Sequence, residues 1–418
     1  MKNFSAKTRF IASLSCAALC LCVATSANAE QIKDPYHPSV NSSPITLMKD
    51  NMITQTLGGR VVDLDVWVGE FFKFDDNIFN TSKNKQDDVI SSTAAGFKME
   101  AHQKDVWKLR VEGQLQHNAY ADHSGYDGFE GYFHSEGSVE FSPALSGRMS
   151  VNYDNTYDNI RDVEDIYGLH QFTVGTGITV KPSPFMGVDF DCNYFGQRRD
   201  TSYLERQNYD EYSFAIRPYY DITPNTQVYI HLGGSIATPE KDIQNDSQSV
   251  SMLLGLSWKY RNDARLYAEV GYKYMHFGDN GTIRDTCGSV NRPAIRLGGE
   301  YALNADWKAG ARLYHSAVYG AVTSEAFDSN YIDRTVGSVF LEYSPGAGRF
   351  TAKLAPYYMF NEPSEDDAYA DYGALLGVTY SVTDWFNVSA GYRYSVKDYK
   401  DEPSYDRNIF TVGFAATF

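Results

Sequence analysis

The residues best suited to chemistry are charged and amide side chains that recur at every second position along the chain. Between residues 106 and 119 the polar members are Lys108, Arg110, Glu112, Gln114, Gln116 and Asn118. The apolar members Trp107, Leu109, Val111 and Leu115 stand between them, and residues 386–397 repeat the pattern. Successive side chains of a β-strand point to opposite faces, so each segment has one polar and one apolar face. Burying so many polar groups in a dry core is costly, which indicates a water-filled interior.

The charges on these polar faces divide by sign along the chain. The first half predicts an acidic wall made of Glu112, Glu136, Glu140, Asp154, Asp189, Asp191 and Glu211. The second half predicts a basic wall made of Lys259, Lys273, Arg296, Arg312, Arg334, Lys353, Arg393 and Lys397. If the strands close into a barrel, the two walls face each other and create a transverse field that favours polar solutes. The alternative is that these residues pair across adjacent strands and only stiffen the wall.

Histidines are candidates for parts of a hydrolytic site, because some membrane barrels are hydrolases. Such an enzyme needs a nucleophile, a base and an orienting acid gathered at one rim. His134, His276 and His315 fall toward one end of their segments, but His315 and Ser316 are consecutive and face opposite ways. No metal-ligand spacing and no cofactor motif is present in the sequence. We therefore predict no catalytic residue, no cofactor and no enzyme activity.

Short turn signals recur about every forty residues and define the strands. They fall at residues 102–105, 142–146, 182–185, 221–225, 262–264, 304–306, 345–349 and 383–384. Longer Gly-, Asn- and Asp-rich segments lie midway between them, which is the asymmetry of outer-membrane barrels. The pattern predicts an all-β, antiparallel, up-and-down transmembrane β-barrel of about 18 strands, with 16 as the alternative. Its first strand is expected at 61–74 and its last at 405–418; a soluble β-sandwich or β-helix is the competing fold.

The two ends of the chain divide it into three parts. Residues 1–29 have a basic start, a short apolar stretch and a small-residue site at Ala27–Ala29, which predicts a cleaved signal peptide. Cys16, Cys20 and Cys22 allow a lipoprotein signal as the alternative, although none follows a convincing lipidation triplet. Residues 30–59 are expected to be a flexible periplasmic lead, and residues 60–418 the barrel.

Composition excludes two classes of protein. The mean hydropathy is −0.42 and no long apolar run follows residue 29, which excludes a helical membrane protein. The net charge of −16 argues against a nucleic-acid partner. Aromatic residues make up 15% of the chain, and four tryptophans lie beside the predicted short turns, as an interfacial aromatic belt requires. Beyond residue 29 the cysteines are Cys192 and Cys287, and a disulfide between them is not expected from their inferred places.

A resemblance to a known family rests on residues 74–79, Phe-Asp-Asp-Asn-Ile-Phe, followed by Asp-Asp-Val-Ile at 87–90. This hairpin resembles that of the family known as β-barrel porin 2. The resemblance implies an outer-membrane channel, some members being associated with exopolysaccharide export, and it supplies no catalytic residues. The final residue, Phe418, also resembles the terminal aromatic residue that the barrel-assembly machinery reads in such proteins. In contrast to general porins, no loop is long enough to be expected to fold inward as a large constriction.

These observations predict a porin-like channel in the bacterial outer membrane for passive diffusion of small hydrophilic solutes. One alternative is the outer-membrane component of a polysaccharide exporter, with a periplasmic partner docked at the short turns. Another is a barrel-type hydrolase. The expected surroundings are outer-membrane lipid and lipopolysaccharide.

Overall fold

The structure is a computed structural model of the chain. It describes residues 53–57, 60–104, 106–159, 166–200, 207–241, 244–260, 263–279, 281–282, 288–322, 328–346, 348–401 and 403–418. The predicted signal peptide and Cys287 lie outside these residues. Among the helices of the described ranges, none is long and apolar enough to cross a membrane.

The described chain contains one short strand, β1, followed by eighteen long strands, β2–β19, and two single-turn 3-10 helices, Ser124–Tyr126 and Gly320–Val322. The long strands have 13 to 18 residues. In order the strands are β1 Ile53–Leu57, β2 Arg60–Asp75, β3 Asp88–Gln103, β4 Trp107–Tyr120, β5 Gly128–Ser142, β6 Leu145–Asn159, β7 Ile166–Ser183, β8 Met186–Arg199, β9 Tyr209–Thr223, β10 Thr226–Pro239, β11 Ser247–Tyr260, β12 Ala264–Phe277, β13 Ser289–Ala302, β14 Trp307–Tyr319, β15 Tyr331–Tyr343, β16 Phe350–Pro363, β17 Tyr369–Ser381, β18 Phe386–Tyr399 and β19 Tyr405–Thr417.

The eighteen long strands form a closed antiparallel barrel. Each pairs with its neighbours in sequence, and β19 closes the sheet by pairing with β2 from Thr417↔Trp67 to Ile409↔Asp75. The predicted all-β, up-and-down barrel of 18 strands is therefore confirmed, and the alternatives of 16 strands or a soluble sandwich are wrong. Closure leaves no sheet edge within the barrel wall, so the wall's backbone groups are paired without water.

Strand β1 lies within the segment expected to be a flexible lead. It pairs antiparallel with β2 from Ile53↔Leu64 to Leu57↔Arg60. The backbones of Phe418 and Val66 exchange hydrogen bonds just above this pairing. Strand β1 therefore continues the line of β19 along the same edge of β2, and residues 53–57 belong to the barrel wall.

The two faces of the wall differ sharply in exposure. On β11, Leu254 is 63% exposed, whereas its neighbour Leu253 is 1% exposed. On β4, Leu115 is 58% exposed and Gln116 is 8% exposed. Apolar side chains thus cover the outside of the barrel and polar ones the inside, which is the arrangement that a hydrocarbon exterior requires. Cys192 is exposed on the outer face, as its strand phase predicts.

Four tryptophans lie at the end of the barrel that carries the short turns. Trp107 and Trp307 begin β4 and β14, Trp258 lies near the end of β11, and Trp385 occupies the turn before β18. Indole rings prefer the interface between water and hydrocarbon, so this ring of side chains marks one interface. The fifth, Trp67, lies instead on the lumen face of β2 and is buried.

Candidate functional site: the lumen and its constriction

The strand register places the residues of both predicted walls on the lumen face. On β18, Asn387 and Ser389 are buried on the inner face, and Arg393 and Lys397 follow at the same parity. On β8, Asp189 and Asp191 alternate with the outward Phe190. The assignment rests on alternation, which the regular pairing of these strands preserves.

Several carboxylates of the acidic wall are held by basic side chains on the same strand or on strands one or two positions away. The nearest oxygens of Glu112 and Asp189 lie 2.7 Å from Arg110 and 2.6 Å from Arg217. Asp191 pairs with Arg148, and Asp154 lies 2.8 Å from the Nε2 atom of His134. Glu136 and Glu140 follow on β5, and Glu211 on β9. These ion pairs reduce the net field of the acidic wall, as the pairing alternative anticipated for single residues.

The basic wall is neutralised less completely. Arg296 and Arg312 lie 3.1 Å and 3.3 Å from the carboxylates of Glu269 and Glu300. Other members contact uncharged groups: the Lys273 ammonium donates to a backbone carbonyl, Arg334 donates to the Asn361 amide oxygen, and Lys353 lies over an aromatic ring. Lys397 lies over the ring of Tyr369, and Lys259 sits near the short-turn end of β11. The positive field of this wall is therefore the more persistent one, and its effect on ion selectivity stays a prediction.

A constriction comes from the halves of β14 and β15 that lie away from the short turns. We call the described residues 316–322 and 328–334 the hairpin tip. Pairing between β13 and β14 ends at Ile295↔His315, whereas β14 and β15 stay paired up to Tyr319↔Tyr331. Above His315 strand β14 is thus released from β13, whereas β15 stays paired with β16 up to Ile332↔Pro363, so the free β14 edge can curl away from the line of the wall.

The contacts of the hairpin tip show that it bends into the lumen. The Tyr331 ring stacks on Phe277, and Lys273 donates a hydrogen bond to the Ala317 carbonyl; both partners lie on the lumen face of β12. The face that carries Ala317 and Tyr331 is continuous by register with Leu313, which points outward lower on β14. This face points outward at Leu313, yet at Tyr331 it contacts the inner face of β12. Both can hold only if the tip of the hairpin folds inward.

The far end of the hairpin tip reaches β8 and β9. Gln197 donates from Nε2 to the Ala321 carbonyl at 3.1 Å, and Tyr319 packs edge-on against Tyr209 at 5.3 Å between ring centroids. The Tyr319 hydroxyl also donates to the Asn245 carbonyl at 2.8 Å. The expectation that no loop folds inward is therefore wrong. Paired strand ends form the constriction, so the length of the loop between them does not predict that they fold inward.

A sequence signal for the hairpin tip does exist. Residues 317–319 read Ala-Val-Tyr and residues 331–332 read Tyr-Ile, so Val318 and Ile332 occupy positions where strict alternation would place polar groups. A strand segment that loses its alternation is buried on both faces. Ala317 and Ile332 are each 0% exposed.

A second packed element at the same end of the barrel is the first long loop, residues 76–87, which carries the motif of the family resemblance. Ile78 and Phe79 are buried, and the Phe79 ring packs edge-on against His123 and Tyr126. His123 lies 2.7 Å from the Asp88 carboxylate, which also accepts backbone N–H bonds from residues 121–123. These contacts give His123 a structural role in holding two loops together.

Of the histidines that the sequence offered as catalytic candidates, His134 contacts acidic side chains and His315 contacts the Thr335 hydroxyl at 2.8 Å. His276 lies on the outer face near the extracellular end of β12. The register separates these rings among β5, β14 and β12, so they do not form one group.

Comparisons with known proteins add little to this geometry. No protein-family model matches the chain, and no curated protein matches it. Solved structures that resemble it include OccK1 (OpdK) of Pseudomonas aeruginosa, with a TM-score of 0.46, 11% identity, and coverage of 85% of this chain and 99% of that one. OccK9 (OpdG) of the same species has a TM-score of 0.45 and 12% identity, with coverage of 85% of this chain and 98% of that one. Acinetobacter baumannii OccAB3 has a TM-score of 0.44 and 10% identity, with coverage of 85% of this chain and 99% of that one. Likeness at this level names no family, and the fold itself rests on the strand register described above.

Proposed function

We propose that the protein is an outer-membrane channel for passive diffusion of small hydrophilic solutes. The observation that carries the proposal is the closed 18-stranded barrel with a polar inner face. Barrels of 16 to 18 strands enclose more space than their own side chains fill, and that space is aqueous when the lining is polar. Solutes cross in the part of the lumen that the hairpin tip leaves open.

The outer surface supports the location. Exposed Leu, Val, Ile, Phe and Tyr side chains cover the outside of the strands, and the tryptophans beside the short turns mark the periplasmic interface. We propose export by cleavage of residues 1–29, with Phe418 as the assembly signal. Lipopolysaccharide and lipid are then the surroundings of the apolar face.

The charges of the lumen support weak selectivity over a strict filter. Arg110, Arg148 and Arg217 offset much of the acidic wall, whereas Lys273, Arg334 and Lys353 contact neutral groups. Among the described residues, no carboxylate lies within salt-bridge distance of the last three. Mixed, opposed charges attract dipolar solutes without excluding either sign of ion, and salt screens the preference over about one Debye length.

The test is single-channel recording of the purified mature barrel in a planar bilayer. We expect stable conductance without any partner, and swelling of liposomes in small sugars but not in large dextrans. A chain lacking residues 30–52 serves as the control for occlusion of the lumen by the N-terminal lead. Absence of conductance in both forms would rule out passive diffusion and favour a component that opens only with an export partner.

A further inference from the structure

The seam between β2 and β19 carries side-chain contacts that the backbone ladder does not require. Phe71 and Gly413 are direct cross-strand partners on the lumen face. A Cβ atom at Gly413 would lie 2.1 Å from the Cδ1 atom of Phe71, so the ring rests on glycine backbone. Any larger residue opposite Phe71 would have to displace the ring.

Above the last ladder pair, the first long loop continues the seam through side chains. The Asp76 carboxylate accepts hydrogen bonds from the backbone N and the Nδ2 of Asn408 at 2.6 and 2.7 Å. Asn77 donates from Nδ2 to the Asp406 carbonyl at 3.0 Å and to the Thr81 carbonyl at 2.9 Å. The motif of residues 74–79 thus docks on the last strand.

A buried ion pair anchors this loop. Arg407 donates to both carboxylate oxygens of Asp75, at 2.9 Å from Nε and 2.5 Å from Nη2, and to the Asn80 side chain at 3.1 Å. Asp75 is 0% exposed. The partners are 332 residues apart in sequence, so the pair exists only after the barrel closes.

Backbone pairing alone does not determine the register of this seam. A shift of β19 by two residues, about 7 Å, keeps every side chain on its face and restores a full ladder. Elsewhere in the wall a turn or loop joins the two strands and limits such shifts. The seam strands lie at opposite ends of the chain, and no connection constrains them.

We propose that Phe71, Asp76 and their partners Gly413 and Asn408 form a register clasp that admits only the native pairing of β2 with β19. A two-residue shift in either direction places Thr411 or Ala415 opposite Phe71, and both carry a Cβ. The same shift moves Asn408 about 7 Å from Asp76. The motif of residues 74–79 therefore acts in barrel closure, separately from solute passage.

Disulfide trapping in the assembled barrel tests the clasp, in a background with Cys192→Ser and Cys287→Ser. One cysteine replaces Phe414, and the second replaces Glu70, its native partner, or Val68 or Phe72, its partners after a two-residue shift. All four positions share the outer face. The wild-type background is expected to trap only the 70–414 pair.

The clasp variant combines Phe71→Ala with Asp76→Ala. It is expected to lose a large part of the 70–414 product and to gain the 68–414 or 72–414 product. The matched control combines Phe340→Ala, whose ring rests on Gly310 inside the β14–β15 hairpin, with Asp210→Ala. The control removes a similar ring and carboxylate yet should trap only the native pair. A clasp variant that traps the native pair as completely as the control overturns the proposal.

A second measurement applies if the clasp variant does not assemble. Gly413→Ala alone is expected to lower the amount of heat-modifiable, folded barrel in membranes, because its Cβ meets Phe71. Adding Phe71→Ala to Gly413→Ala should recover most of that amount, since the ring is gone. If the double variant does not recover the amount of folded barrel, or if Gly413→Ala alone assembles at the normal level, the proposed steric role of the Phe71–Gly413 contact is contradicted.

Discussion

Releasing the hairpin tip from its contacts across the lumen should widen the channel, and Tyr319→Ala is the sharpest perturbation. The Tyr319 side chain is 5% exposed, packs on Tyr209 and donates a hydrogen bond to the Asn245 carbonyl. Replacing a buried aromatic side chain by Ala costs about 3–5 kcal/mol. Tyr319→Phe removes only the hydroxyl and should cost about 0.5–1.5 kcal/mol.

These costs convert directly into populations. A loss of about 3–5 kcal/mol shifts the equilibrium between docked and detached tip by roughly two to nearly four orders of magnitude, because about 1.4 kcal/mol is a factor of ten. The loss expected for Tyr319→Phe is less than or close to one order. The Ala variant should therefore open far more often to a higher conductance level than the Phe variant.

Single-channel recording in a planar bilayer measures this difference. A disulfide between Gln197→Cys and Ala321→Cys, made in the Cys192→Ser and Cys287→Ser background, should return Tyr319→Ala to the wild-type conductance by holding the tip on the wall. Reduction of that disulfide should release the high level again. If Tyr319→Ala assembles normally and its conductance equals that of the wild type, the tip is not the constriction.

Three further predictions concern selectivity, assembly and stability. Replacing Arg312, Lys353 and Arg393 together by Gln should leave the barrel folded and shift the reversal potential in a salt gradient toward cations; an unchanged potential would mean that the basic wall does not act on ions. Phe418→Ala should lower the amount of folded barrel in membranes without changing single-channel conductance, whereas normal levels with altered conductance would contradict its assignment as an assembly signal. Asp189→Asn leaves Arg217 without its carboxylate partner and should lower the free energy of unfolding by about 3–5 kcal/mol, measured by urea unfolding on lipid vesicles. Asp210→Asn, in the more exposed rim pair with Arg198, should lower it by about 1 kcal/mol or less. Equal losses would show that burial does not decide the strength of these pairs.

Local patterns were enough to predict most of the wall. The last strand was expected at residues 405–418 and runs from Tyr405 to Thr417; the first was expected at 61–74 and runs from Arg60 to Asp75. Alternation and turn residues are properties of a few consecutive positions, so they can be recognised without knowing the neighbours. The same reasoning placed the charged residues of both walls on the inner face.

The constriction and the seam depended on contacts between distant segments. Whether β14 stays with β13 above His315 is decided by what its upper half meets across the lumen, namely Phe277, Gln197 and Tyr209. The sequence by itself indicated the long strands, their approximate number and the face of most of their side chains, because alternation with a period of two can be recognised in adjacent residues. Only the tertiary structure decided which hairpin turns inward and how β2 meets β19, because those choices depend on partners up to 332 residues away.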